Sequence, residues 1–335
     1  MLNYIKENLK KKLRLCHFIN RFTSLSTQSE NIERRIQKLE DMIEVQNKLI
    51  VNCLSHTEGY QKLVEAGELN ELEFKVSSQW GDDGVIQYIV SQLKDIQKSF
   101  VEFGVEDYKE SNTRFLLHNN NWKGLIIDSS VDNINNIKSQ SLYWRYQLTA
   151  VEAFITEDNI NSLISENSDR GDIGILSIDI DGNDYWIWKA ITVVQPWIVI
   201  VEYNSILGVD SSITIPYQKD FNRFEAHYSG LYFGASLKAF YELAQEKGYE
   251  FLGTTSNGNN AYFVRSDKIK GSLRSVSLEK GFNLAQLRES RNIDGEKSYV
   301  GEEDRQQLIS EMEFWNIDEQ KLSLFKDLST GLNES

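Results

Sequence analysis

The sequence predicts an α/β fold: a doubly wound, mostly parallel sheet finished by an antiparallel hairpin and preceded by a helical, coiled-coil-like segment. From about residue 72, short and near-continuously apolar runs such as GLIID and WIVIVE alternate with helix-period stretches, the pattern of a parallel sheet covered on both faces. Later in the chain two strand-like runs are separated only by the turn-rich TSNGNN, which pairs them antiparallel. Ahead of both, apolar residues recur in alternating steps of four and three.

The first segment, residues 1–27, differs from the rest. Met1 to Phe22 carries six basic residues (Lys6, Lys10, Lys11, Lys12, Arg14, Arg21) against Glu7, so it is strongly basic in a chain of net charge −14. Leu2, Ile5, Leu9 and Leu13, then Phe18 and Phe22, fit a basic amphipathic helix suited to peripheral contact of residues 1–22 with an anionic membrane. A solvated basic helix or tail is the plainer alternative. Across residues 28–71 a helical stretch follows. Ile32, Ile36, Leu39, Ile43, Gln46, Ile50 and Cys53 form a heptad seam, predicting a homo-oligomer through residues 28–54, with a helix packed on its own domain as the alternative.

Residues 72–270 hold the main domain. A helix is expected at Gly84–Leu93, then a strand at Ser99–Val105, a helix at Ser111–His118 and a strand at Gly124–Asp128. Helix Val131–Ile137, an extended Leu148–Ile155 and helix Asp158–Ser165 lead to strand Ile173–Asp181, helix Asp184–Ile191 and strand Trp197–Glu202. After a long connection, helix Ser236–Lys247 stops at Gly248, a natural C-cap. The hairpin strands Tyr249–Thr254 and Ala261–Arg265 close the domain, and residues 271–335 read as a C-terminal helical extension.

Composition narrows the function. An isoelectric point near 4.9 disfavours a general nucleic-acid surface, which needs clustered Lys and Arg. Cys16 and Cys53, the two cysteines, support neither a disulfide framework nor a zinc site. No run has the roughly 18 apolar residues of a spanning helix, and the expected setting is cytoplasmic, extending to the inner face of the membrane.

The stretch FVEFGVEDYKESNT at 100–113 marks the site. In doubly wound sheets the ligand lies beyond the carboxyl ends of the strands, against the loop that follows the first strand. This loop has no GxGxxG, and its Glu102, Glu106, Asp107 and Glu110 would repel a pyrophosphate. The sulfonium and ammonium of S-adenosyl-L-methionine (SAM) suit it better. Gly104 lets the chain turn beside the methionine part, and Asp128, ending the next strand, is placed to accept both ribose hydroxyls.

FVEFGVEDYKESNTRFLLHNNNWKGLIID resembles the first two motifs of FkbM-type SAM-dependent methyltransferases, and LSIDIDGNDYWIW is similar to their fourth-strand motif. The match covers roughly residues 75–270. It implies a class I, Rossmann-like methyltransferase fold, SAM held by Glu102, Gly104, Ser111, Asn112, Thr113, Asp128 and Ser129, and O-methylation of a sugar hydroxyl in surface polysaccharide or glycan biosynthesis. The family commonly has a second glycine in the first loop; this chain has Val105, Glu106, Asp107 and Tyr108 there.

Three further groups complete the expected site. Asp179 and Asp181 alternate to one face at a strand's carboxyl end and are expected to be catalytic, while Asp184 suits the N-terminus of the next helix. Asp181, Glu202 and Asn204 are candidate oxygen ligands for Mg²⁺, or else direct hydrogen-bond partners of a sugar. His227, in the long connection 205–234, is the candidate base. Tyr185, Trp186, Tyr203 and Tyr217 offer stacking faces, with core packing as the default for each. Two other functions remain open at this level: a nucleotide-sugar-dependent glycan-modifying transferase, and a non-catalytic coiled-coil scaffold.

Overall fold

The structure is a computed structural model that describes residues 45–328 and, before them, residues 28, 31, 32, 34–36, 38, 39, 42 and 43. The basic segment 1–27 lies outside the described residues. The chain divides into two units, residues 1–57 and 58–335. In the first, the described residues up to 54 are helical, with helix α1 continuous over 45–54. The seam residues Ile32, Ile36, Leu39, Ile43 and Ile50 are all exposed.

The second unit begins with α2 (Glu58–Ala66), a short 3-10 turn (Leu69–Leu72) and α3 (Asp82–Gln92). There follow β1 (Ser99–Phe103), α4 (Arg114–Asn120), β2 (Lys123–Asp128), α5 (Val131–Ser139), α6 (Ser141–Arg145), β3 (Leu148–Glu152), α7 (Ile160–Asn167), β4 (Gly171–Ile178), α8 (Asp184–Ala190) and β5 (Val194–Glu202). After the connection, with β6 (Ile213–Thr214) and the single turn α9 (Arg223–Ala226), come α10 (Leu237–Lys247) and the hairpin β7 (Tyr249–Thr254) and β8 (Asn260–Arg265).

These strands form one seven-stranded sheet in the order β3-β2-β1-β4-β5-β8-β7. β8 runs antiparallel to both β5 and β7, and the remaining pairs are parallel. The expected doubly wound sheet with its antiparallel terminal hairpin is therefore present. Every residue of β1 is buried, as continuous apolar strands require when helices cover both faces. Phe103, Ile127, Tyr185, Trp188 and Phe240 pack on one face; Phe100, Ile126, Tyr88, Leu116 and Trp122 pack on the other. Gly248 ends α10 at φ +83, where its N–H reaches the carbonyls of Ala244 and Gln245.

Two expectations are corrected here. The segment after 270 is mixed: α11 (Leu278–Gly281), β9 (Ser290–Arg291), β10 (Lys297–Ser298), α12 (Glu302–Leu308), β11 (Glu313–Asn316), β12 (Lys321–Leu324) and α13 (Phe325–Leu328). β11 joins β12 and β6 in a three-stranded sheet, because Phe314 finds its core with Tyr232, Ile213 and Phe325 rather than on a helix face. Secondly, β4 stops at Ile178, short of Asp181. The Asp184 carboxylate accepts the N–H groups of Ile180 (2.8 Å) and Gly182 (2.9 Å), so a loop stitched from below takes the place of a ladder.

Candidate functional site

The order of the strands reverses between β1 and β4, and a cleft of about 690 Å³ opens beyond the carboxyl ends of β1, β2, β4 and β5. At its floor Gly104 turns with φ +70. A Cβ there would fall 1.6 Å from the Asp179 carbonyl oxygen, so glycine is what allows the β1 loop to cross the end of β4. Where the resemblance leads one to expect a second glycine, in the stretch Val105–Tyr108, Glu106 takes the left-handed conformation itself (φ +47), as does Tyr108 (φ +61). Each costs on the order of 1 kcal/mol. Neighbours hold them in place: the Glu106 N–H donates to Asp128 Oδ2 (2.9 Å), and buried Tyr108 shares a hydrogen bond with Thr113 Oγ1 (2.9 Å).

The residues expected to hold a cofactor separate into two groups. Glu102 is buried, and burial raises its pKa. Its oxygens accept from Ser111 Oγ (2.5 Å), Thr113 Oγ1 (2.5 Å) and the N–H groups of Asn112 (2.9 Å) and Thr113 (3.2 Å). Glu102, Ser111 and Thr113 thus fold the loop by bonding one another; Glu102, Gly104, Ser111 and Asn112 border the cleft, and Thr113 does not. Asp128 and Ser129 border it too. Asp128 Oδ1 accepts from the Ser130 N–H (2.8 Å) and Asn133 Nδ2 (3.2 Å), while Oδ2 has accepted only the Glu106 N–H. Capacity therefore remains for one hydroxyl, where the sequence suggested two.

At the far side Asp179, Asp181 and Glu202 converge, with oxygens within 4.8 Å of one another. Arg223 Nη1 donates to Asp181 Oδ1 and Arg288 Nη1 to Glu202 Oε1, each at 2.5 Å. Burial first, then the charges of Glu202 and Asp181, lifts Asp179 well above the usual carboxylate range. Burial and Glu202 raise Asp181 to about 6, with Arg223 and Arg288 opposing. Burial takes Asp184 to about 7.

Asn204 is not part of this cluster. β5 ends at Glu202, so the alternation that would have set the two side by side has already stopped. Asn204 Nδ2 donates to the carbonyls of Leu231 and Phe233, and its oxygen caps the 3-10 turn Ser205–Leu207. Without it, and with two of the three carboxylates already matched by guanidinium groups, the donor set does not fit Mg²⁺.

His227 does not border the cleft. It closes α9, its Nδ1 pairs with Ser229 Oγ (2.7 Å), and burial lowers its pKa. The same turn aims Arg223 inward instead. The four proposed stacking aromatics also lie in packing: Tyr185 against Phe240, Trp186 bonded to the Ile215 carbonyl, Tyr217 receiving the Glu157 N–H, and Tyr203 bonded to the Asn283 carbonyl. The aromatic side chains on the cleft are Trp80, Phe154, Phe221 and Tyr299. The sequence reading missed Trp80, Arg223, Asn259 and the wall formed by Leu287–Ser290 and Lys297–Tyr299. One signal was available for the arginines: acids buried at strand ends need cationic partners.

No family model matches this chain, and no curated protein matches it. Among solved structures, it is similar to the N-terminal domain of EvdMO1 with SAH and D-fucose (8% identity, TM-score 0.36, 62% of this chain and 95% of that one). It is also similar to an O-methyltransferase from Bacillus cereus with SAH (13%, 0.35, 62% and 87%) and to M. capricolum TrmK with SAH (10%, 0.34, 59% and 74%). All three likenesses are distant. Among the described residues no helix is long and apolar enough to cross a membrane.

Proposed function

We propose that this protein is a SAM-dependent methyltransferase acting on a hydroxyl group, of the FkbM type and with a glycan sugar as acceptor. The observation that carries the reading is Asp128: it ends β2, one strand away from the switch point, with one acceptor position open, in a cleft whose many carboxylates disfavour a pyrophosphate. Phe154 and Ile155, at the end of β3, give a purine an apolar seat, and the Gly104 loop leaves room for the thioether. SAM supplies a methyl group on a sulfonium, an electrophile needing no further activation.

The chain's own groups then work on the acceptor. Asp181, with a pKa of about 6 and at the mouth of the cleft, takes the hydroxyl proton near neutrality, while Arg223 holds its orientation. Asp179 keeps its proton and donates a hydrogen bond. Positioning the acceptor oxygen in line supplies the rest of the acceleration. The sugar acceptor rests on the family resemblance of FVEFGVEDYKESNTRFLLHNNNWKGLIID and LSIDIDGNDYWIW alone.

Isothermal titration of the full chain decides between this reading and its rivals. SAM and SAH should bind, whereas NAD and UDP-glucose should not. Binding of UDP-glucose without SAM would replace the reading with a nucleotide-sugar transferase.

A further inference from the structure

Among the described residues, five that line the cleft carry a buried polar atom without a hydrogen-bond partner; three of these atoms, Glu202 Oε2, Arg223 Nε and Arg288 Nε, belong to the carboxylate–guanidinium cluster, and the other two lie outside it. One is a donor, Trp80 Nε1, and the other an acceptor, Asn259 Oδ1. Asn259 is only 9% exposed. Buried groups of this kind are normally bonded, and leaving one unbonded is costly. Trp80 and Asn259 come from segments far apart in the sequence that are laced together. The Ser256 N–H and hydroxyl both donate to Glu73 (2.6 and 2.5 Å), and Asn260 Nδ2 donates to Asp82 (2.8 Å). Trp80 and Asn259 thus belong to one end of the cleft.

Strand order tells which end of a bound cofactor meets them. With the ribose on Asp128 at β2 and the purine toward β3, the remaining part of the molecule extends across the β1 loop toward β4 and the hairpin tip. That part is an α-amino acid, whose ammonium needs an acceptor and whose carboxylate needs a donor. An ionised carboxylate cannot serve the second need, and the two beside the β1 loop are already engaged for the first: Glu102 accepts four hydrogen bonds, and Glu110 is paired with Lys75.

We propose that Trp80 and Asn259 bind the amino-acid end of the cofactor, the indole N–H donating to its carboxylate and the Asn259 side-chain oxygen accepting from its ammonium. This rests on the SAM reading above and assigns that reading two residues from outside its motifs.

The test compares SAH with 5′-methylthioadenosine, which keeps the nucleoside and thioether but lacks the amino acid, by isothermal titration of the full chain. Trp80→Phe retains the ring and removes the N–H; Asn259→Ala is the independent second variant. Each should weaken SAH about tenfold and leave 5′-methylthioadenosine within about twofold. Unchanged SAH affinity in both variants, with wild-type melting temperatures, overturns the assignment. So does an equal loss for both ligands, which would mark a structural role. Wild-type protein that binds neither ligand defeats the SAM reading itself, a distinct failure visible before any variant is made.

Discussion

Arg288 and Glu202, 86 positions apart, form an ion pair at 2.5 Å with both side chains almost wholly buried, at 7% and 8% exposure. Arg288 also donates to the Tyr203 carbonyl (3.2 Å) and lies on the Phe233 ring, which Arg223 shares from 5.4 Å. The end of β5, the long connection and the segment after the hairpin are thereby locked into one wall. What the sequence suggested was an appended extension is part of the site.

Arg288→Gln should therefore cost about 3 kcal/mol or more of stability, because it leaves Glu202 buried beside Asp179 without its counter-charge. Glu202→Gln should be costly for the same reason. The double variant should lose clearly less than the sum of the two, as measured by urea unfolding. Additive losses would show that the pair is not coupled.

The difference between what was and was not legible follows from range. Each strand of the main sheet carries its own signal in a short, mostly apolar run, and Gly248 or TSNGNN announces an end locally. Asp128, Asp179 and Asp181 were found because a carboxyl end of a strand is a local property. Asn204 and His227 were misplaced because their neighbourhood depends on where β5 stops and how α9 turns. Arg288, Trp80 and Asn259 enter the cleft only through pairings of 80 residues or more, which no local pattern encodes. The short strand β11 has a local partner in β12, but both are only four residues long, and its other partner β6 lies about a hundred residues earlier.

In the β1 loop, opposite outcomes are expected two residues apart. Gly104→Ala sets a Cβ against the Asp179 carbonyl at a positive φ, so it should abolish SAH binding and lower the melting temperature. Glu106→Gly removes the cost of a left-handed glutamate and should stabilise by roughly 0.5–1 kcal/mol. Chemical denaturation of both variants checks this, and a destabilised Glu106→Gly would show that its side chain matters more than its backbone.

The seam residues of the first unit are exposed, so their apolar face has no cover within the described residues. We expect a second copy of the chain to cover it. Removing residues 1–57 should leave a folded protein of lower oligomeric order by sedimentation velocity. The same order with and without the segment would assign the helix another role.

Acidity offers the last prediction. Asp184 is 1% exposed and its pKa is raised to about 7, chiefly by burial; Asp179 is raised well above the usual carboxylate range, and Asp181, raised to about 6, is half exposed and contributes less. A carboxyl that holds its proton more tightly when folded than when unfolded stabilises the fold fully below its unfolded pKa, near 4. That contribution is lost as pH rises through the folded value. His227, whose pKa burial lowers, works in the opposite direction, but it is one partly exposed ring against the fully buried Asp184 and the half-buried Asp179. The unfolding free energy should therefore fall between pH 5 and pH 8, by on the order of a few kcal/mol. Asp184→Asn cannot release that proton, so its stability should change less over the same range. Parallel curves for variant and wild type would mean that Asp184 is ionised in the folded protein throughout, and that the two N–H groups it accepts outweigh its burial.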